Sequence, residues 1–166
     1  MEETKQSHRL EWILMGVAVF LIAVLIGFSV LMYRSQRPMA QAQEEATELA
    51  KKYTDLATVD NFYWFTREET YFSLTGKDKK GDEIAVILPK EGNKIKVLKQ
   101  ADGITETQAL RKTAEAYPDD YVTNARLGMF QEKPVWEVAT TTENDEVGYV
   151  LLSFADGKEI KRIHGI

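Results

Sequence analysis

The sequence predicts an α+β chain: an N-terminal transmembrane helix, then two tandem units that each run from a helix into an antiparallel meander. Three observations carry this. Trp12 to Tyr33 contains no charged residue. Beyond Pro38 a helical period gives way to β-rich runs separated by short polar turns. That order then starts again near Thr105, at a spacing of about 64 residues.

The apolar run WILMGVAVFLIAVLIGFSVLMY reaches about 33 Å as a helix, enough for a hydrocarbon core of about 30 Å with a little tilt. Lipid offers no partner for open backbone, so a single span must be helical. Trp12 and Tyr33 sit at its ends, where amphipathic rings favour the headgroup region, and Arg9 and Arg34 close it with charge. A buried core helix and a cleavable signal peptide are the alternatives. The run is too long for a signal peptide, and Tyr33-Arg34-Ser35-Gln36-Arg37 offers no small-residue cleavage site. Residues 1–11 form a tail before the span. Charge does not settle orientation, because Lys5 and Arg9 precede the span and Arg34, Arg37, Lys51 and Lys52 follow it. A short tail ahead of an uncleaved apolar run is the layout of a signal anchor. It places the N-terminus in the cytoplasm and the C-terminal region outside the cell.

The first unit is expected over 39–100. Ala42, Ala46, Leu49, Ala50 and Tyr53 recur at helical spacing, with Glu44, Glu45, Glu48, Lys51 and Lys52 on the other side. Strands follow at 61–65, 70–75, 83–88 and 94–98, separated by turns such as KDKKGD (77–82) and KEGN (90–93). The second unit is expected over 101–166. Thr105 and Gln108 form a capping box, Ala109, Leu110, Ala114 and Tyr117 supply an apolar face, and Pro118 stops the helix. Strands follow at 123–130, 135–141, 147–154 and 159–163, with ENDE (143–146) and ADGK (155–158) as turns. In the overlay of the two passes Phe72 lies over Trp136 and Tyr53 over Tyr117. Each copy is near the size at which a lone core is marginal, so the two are expected to pack on each other.

Composition narrows function. The totals are 21 Lys plus Arg and 26 Asp plus Glu; removing Lys5, Arg9, Glu2, Glu3 and Glu11 leaves 19 and 23. The charges are interspersed, with no basic stripe for nucleic acid. Cysteine is absent, which excludes disulfides, thiol nucleophiles and thiolate metal sites. His164 is the only histidine after the span and lies two residues from the end. Ser35, Ser73 and Ser153 lack a G-x-S-x-G context, and no glycine-rich loop opens a helix. Asp119-Asp120 and Glu143 to Glu146 fall in turns, where such residues serve backbone and solvation. Asn144, Asp145 and Glu146 leave a weak calcium site open, without EF-hand spacing. The reading is therefore non-enzymatic: no catalytic residue, no cofactor, no metal and no small-molecule substrate. The compositional oddity is Phe62-Tyr63-Trp64-Phe65. In a strand, Phe62 and Trp64 share one face and Tyr63 and Phe65 the other. One pair can face the helix of the first unit, and the other marks a contact with the second unit or with a partner.

Residues 104–118, ITETQALRKTAEAYP, together with VWEVATTTENDEVGYVLLSFADGKEIKRI, resemble a PepSY-type unit. In that pattern a helix opening I-T-x-x-Q-A precedes a strand pair whose last turn carries T-G-E or D-G-K. Ala155-Asp156-Gly157-Lys158 fills the turn, while Ser153 and Phe154 stand where an Asp is often found. The whole layout resembles the single-pass YpmB/TseB-like cell-wall elongation regulators of Gram-positive bacteria. That resemblance implies tandem cystatin-like units outside the membrane and binding to a class B penicillin-binding protein during lateral wall synthesis. The competing reading is a peptidase inhibitor or protease-regulating module, since PepSY-like and cystatin-like units are associated with inhibition. The Q-x-V-x-G motif expected of a cystatin wedge is absent.

Overall fold

The computed structural model describes residues 3–91 and 94–165, and within its first helix the side chains of 14–28 and 38–53. The chain divides into two compact units, Met1–Ala42 and Gln43–Ile166. Helix α1 (Glu3–Tyr53) begins in the first and ends in the second. In the first unit the side chains from 14 to 28 are exposed all round the helix, Phe20 and Leu25 at 66%.

Among the described residues no helix is long and apolar enough to cross a membrane. The expected span at Trp12 to Tyr33 is therefore not reproduced as such. The described apolar side chains cover 14–28, about 22 Å of helix rise against about 30 Å of hydrocarbon. The side chains of Arg9, Trp12, Tyr33 and Arg34, expected to close it, lie outside the described residues. The expected helix start after Pro38 is corrected, because Pro38 lies inside α1. Proline costs a helix interior about 3 kcal/mol, and the strong helix formers Ala40 to Glu45 that follow add little to that cost.

In the second unit the last turns of α1 lead into a sheet of β1 (Leu56–Thr66), β2 (Thr70–Asp78), β3 (Glu83–Pro89) and β4 (Lys96–Lys99). All neighbours are antiparallel in the order β1-β2-β3-β4. A single 3-10 turn (Gln100–Asp102) leads to helix α2 (Glu106–Ala116). A second antiparallel meander follows: β5 (Tyr121–Phe130), β6 (Lys133–Thr141), β7 (Val147–Ser153) and β8 (Glu159–Ile163). The α+β class and the order helix, four strands, helix, four strands are those expected.

The capping box holds α2 at its start: the Gln108 amide donates to Thr105 Oγ1 at 3.2 Å, and the Thr105 amide to Gln108 Oε1 at 2.8 Å. The helix ends just before Pro118. Its buried stripe is Ala109 and Thr113, not Ala114, which is exposed. Thr113 tolerates burial because its hydroxyl donates to the Ala109 carbonyl at 3.0 Å. On α1 the stripe is likewise narrow. Ala46 and Ala50 are buried, while Leu49 and Tyr53, expected on the apolar face, are 47% and 62% exposed. The buried pair is four residues apart on one line, and its small side chains let the helix lie close to the sheet.

Two cores result. Ala46, Ala50 and Leu56 close on the face of the first sheet that carries Leu74, Ile84, Val86 and Leu88, flanked by Phe62 and Phe72. The opposite face supplies Tyr63, Ala85 and Ile87 to a second core. That core also takes Ala109 of α2 and Leu127, Trp136, Val138, Val150 and Leu152 of the second sheet. The first sheet is thus apolar on both faces, one for each helix.

Candidate interaction site

The aromatic strand divides as alternation requires. Tyr63 and Phe65 are buried, while Phe62 and Trp64 are half-buried. Tyr63 meets Trp136 edge-on, ring centres 5.4 Å apart at 89°. Its hydroxyl donates to Glu106 Oε2 at 2.7 Å, in the first turn of α2. Burial, the bond and the charge of Glu106 together push that hydroxyl well above the ordinary tyrosine range. Phe65 is fully buried, and its ring occupies the space a side chain at residue 128 would need. A Cβ on Gly128 would lie 2.1 Å from Phe65 Cγ.

On the other face Phe72 joins the remaining pair. It stacks on Phe62 at 5.9 Å and receives Trp64 edge-on at 5.1 Å. Trp64 Nε1 donates to Thr66 Oγ1 at 3.2 Å, and that hydroxyl lies 3.2 Å from Thr70 Oγ1. The four aromatics singled out in the sequence are therefore not one surface. Two are enclosed against the second half, and two form a half-open edge.

Two ion pairs escaped sequence reasoning. Arg67, in the β1–β2 loop, pairs with Glu137 on β6, and its guanidinium lies 5.6 Å from the centre of the Tyr149 ring. Glu137 is buried. A carboxylate in the middle of VWEVATT was the available signal, because a buried charge demands a partner. Arg162 on β8 donates to Asp120 Oδ2 at 2.8 Å and lies 3.7 Å from the centre of the Tyr117 ring. Tyr117 in turn donates to Glu159, which with burial holds its hydroxyl above the usual range. The Asp119-Asp120 pair is thus divided, with Asp120 fastening the end of α2 to β8.

The ADGK turn is built as its residues suggest. Gly157 has φ +68, and Asp156 Oδ1 accepts the Lys158 amide at 3.1 Å. That amide, the Ser153 hydroxyl and the Lys158 side chain hold the Asp156 carboxyl down at about 2. The ENDE turn places Asp145 at φ +61, and Thr142 Oγ1 accepts the Glu146 amide at 3.3 Å. Among the described residues no group of three or more His, Asp or Glu could hold a metal ion. Ser73 is buried in β2, and His164 follows the end of β8.

Fold and surface together define a two-sheet α+β protein whose charged and aromatic side chains are organised by packing. A family model described as "Cell wall elongation regulator TseB-like domain" matches residues 45–89, the end of α1 through β3. The chain is 32% identical over 150 residues to the "Probable cell wall elongation regulator TseB" of Bacillus subtilis (strain 168), covering 87% of this chain and 90% of that one. It is similar to the solved "YpmB protein from Bacillus subtilis" with a TM-score of 0.63 and 29% identity, over 72% of this chain and 94% of that one. The chain belongs to the family of TseB-like cell wall elongation regulators.

Proposed function

We propose that this protein regulates cell-wall elongation from outside the cell membrane, as an anchored adaptor that binds a class B penicillin-binding protein. The observation that carries the reading is the relationship to TseB across nearly the whole of both chains. The chemistry of the second unit agrees with it. Its buried carboxylate Glu137 is spent on Arg67, its paired Asp120 on Arg162, and Glu106 on Tyr63, which leaves these groups structural. The anchor is Trp12 to Tyr33, with the N-terminus in the cytoplasm. A helix whose side chains from 14 to 28 are apolar and exposed all round is stable in lipid and costly in water. We read the two halves as tandem cystatin-like units, the second PepSY-like. A shared membrane raises effective concentration, so weak affinity for the transpeptidase suffices.

Two measurements test this. Protease added to intact protoplasts should remove an epitope at the C-terminus, and protection of the epitope reverses the orientation. The full chain in liposomes should co-purify with a class B penicillin-binding protein and show no turnover of peptidoglycan or peptides. Turnover that disappears on changing one carboxylate sinks the adaptor reading.

A further inference from the structure

Three hairpin ends meet at one end of the second unit. The β1–β2 loop brings Glu68 and Glu69, the end of β3 brings Pro89, and the β5–β6 turn brings Gln131 and Glu132. The Gln131 amide donates to Glu68 Oε2 at 3.4 Å, which ties the first hairpin to the last. Between them opens a groove of about 550 Å³. Its floor is apolar, made by Tyr71, Ile87, Pro89 and Met129.

The rim carries both charges, with carboxylates in excess. Glu69 and Glu132 stand on the hairpin side, with Glu68 beside them, and Lys94 and Lys96 stand with Glu91 on the other side. No ion pair holds any of these six among the described residues. The crowding of carboxylates is felt by Tyr71. Its hydroxyl donates to Glu69 at 2.8 Å, and it is pushed up to about 12 by burial, that bond and the charges of Glu69, Glu132 and Glu68. The turn that presents Glu132 has φ +48 at Gln131 and +61 at Glu132, the left-handed region that favours glycine. The hairpin keeps two long side chains there instead.

We propose that this groove is the partner-binding surface of the adaptor, and that it receives a segment with an apolar side chain flanked by lysine or arginine. The apolar side chain seats on Tyr71 and Met129, the basic groups face Glu69 and Glu132, and an acidic group faces Lys94 and Lys96. Charge complementarity sets the direction: carboxylates without an ion-pair partner attract cations from a distance, and the apolar floor supplies the hold. This assignment rests on the adaptor reading and adds where the partner sits.

The test measures binding of a class B penicillin-binding protein to the full chain in liposomes. Wild type is compared with the double variant Glu69→Lys and Glu132→Lys, with Met129→Glu, and with Glu146→Lys in the distant β6–β7 turn. The double variant should lose roughly tenfold in affinity, mainly through slower association at low salt. Met129→Glu should lose at least as much, while Glu146→Lys stays at the wild-type value and all melting temperatures agree. Wild-type affinity in both groove variants overturns the groove and leaves the adaptor standing. Absence of wild-type binding removes the adaptor reading and the groove with it. Self-association abolished by the same variants assigns the groove to a second copy and overturns the partner assignment.

Discussion

The two halves of the second unit share an order of elements and differ in what their sheets face. Strand pairing makes the comparison direct. Trp64 pairs with Phe72 in the first sheet, and Leu127 pairs with Trp136 in the second. Both pairs lie on the face that belongs to the local helix. Yet Trp136 is 1% exposed and donates from Nε1 to the Ile104 carbonyl at 2.9 Å, whereas Trp64 and Phe72 stay half-open. On the opposite faces the difference narrows to the strand at the seam. The first sheet offers Tyr63, Phe65, Ala85 and Ile87, all buried, while the second buries Val135, Glu137 and Leu151 but has the exposed Arg126 and the side-chain-free Gly128 on β5, the strand nearest β1. Bulk in one half fits smallness in the other, and Phe65 against Gly128 is where they meet. Halves of one layout can thus become unequal by exchanging volume across their seam.

The sharpest way to break that comparison is to remove the bulk. Phe65→Ala should destabilise the protein by about 3–5 kcal/mol, the cost of deleting a fully buried phenylalanine. Trp64→Ala, on the half-open face, should cost clearly less. Equal drops in melting temperature would mean that the two faces are equally enclosed.

Next in size is the ion pair that joins the β1–β2 loop to the second sheet. Arg67→Met leaves Glu137 buried without its cation and should cost about 3 kcal/mol. Adding Glu137→Leu should recover most of that loss. A double variant as unstable as the single one would show that packing, and not the stranded charge, sets the cost.

Filling the small side of the seam is a gentler probe. Gly128→Ala forces a Cβ into the Phe65 ring and should cost about 1–3 kcal/mol by overpacking. In a Phe65→Ala background the same change should cost much less, because the ring it meets has gone. Additive losses would place the strain elsewhere.

The smallest expected effect concerns the turn that only the second half carries in this form. Asp156 is held at about 2 against an ordinary value of 3.8. A depressed carboxyl stabilises the fold above the unfolded value and loses that contribution as pH falls through the folded one. The ADGK turn should therefore loosen between about pH 4 and pH 2, and not at neutral pH. Carboxyl chemical shifts followed by NMR should show the late midpoint, and Lys158→Ala should move it upward. A midpoint near 4 in the parent protein removes the turn from the account.

Much of this was legible from local pattern. Alternation in Phe62 to Phe65 determined which aromatics share a face, Thr105 and Gln108 determined where α2 begins, and Asp156-Gly157 determined a turn with φ +68. These features depend on residues within a few positions of each other, so a sequence states them directly. Tertiary structure alone decided which of the two aromatic pairs would be enclosed. It also paired Arg67 with Glu137, seventy positions away, and buried Thr113 in place of Ala114. It left Leu49 and Tyr53 in the open, although their spacing pointed inward. Periodicity names the face of an element but carries no record of what will close on it. That depends on how near two surfaces can come, and here the approach was set by alanines on the helices and by one missing side chain at Gly128.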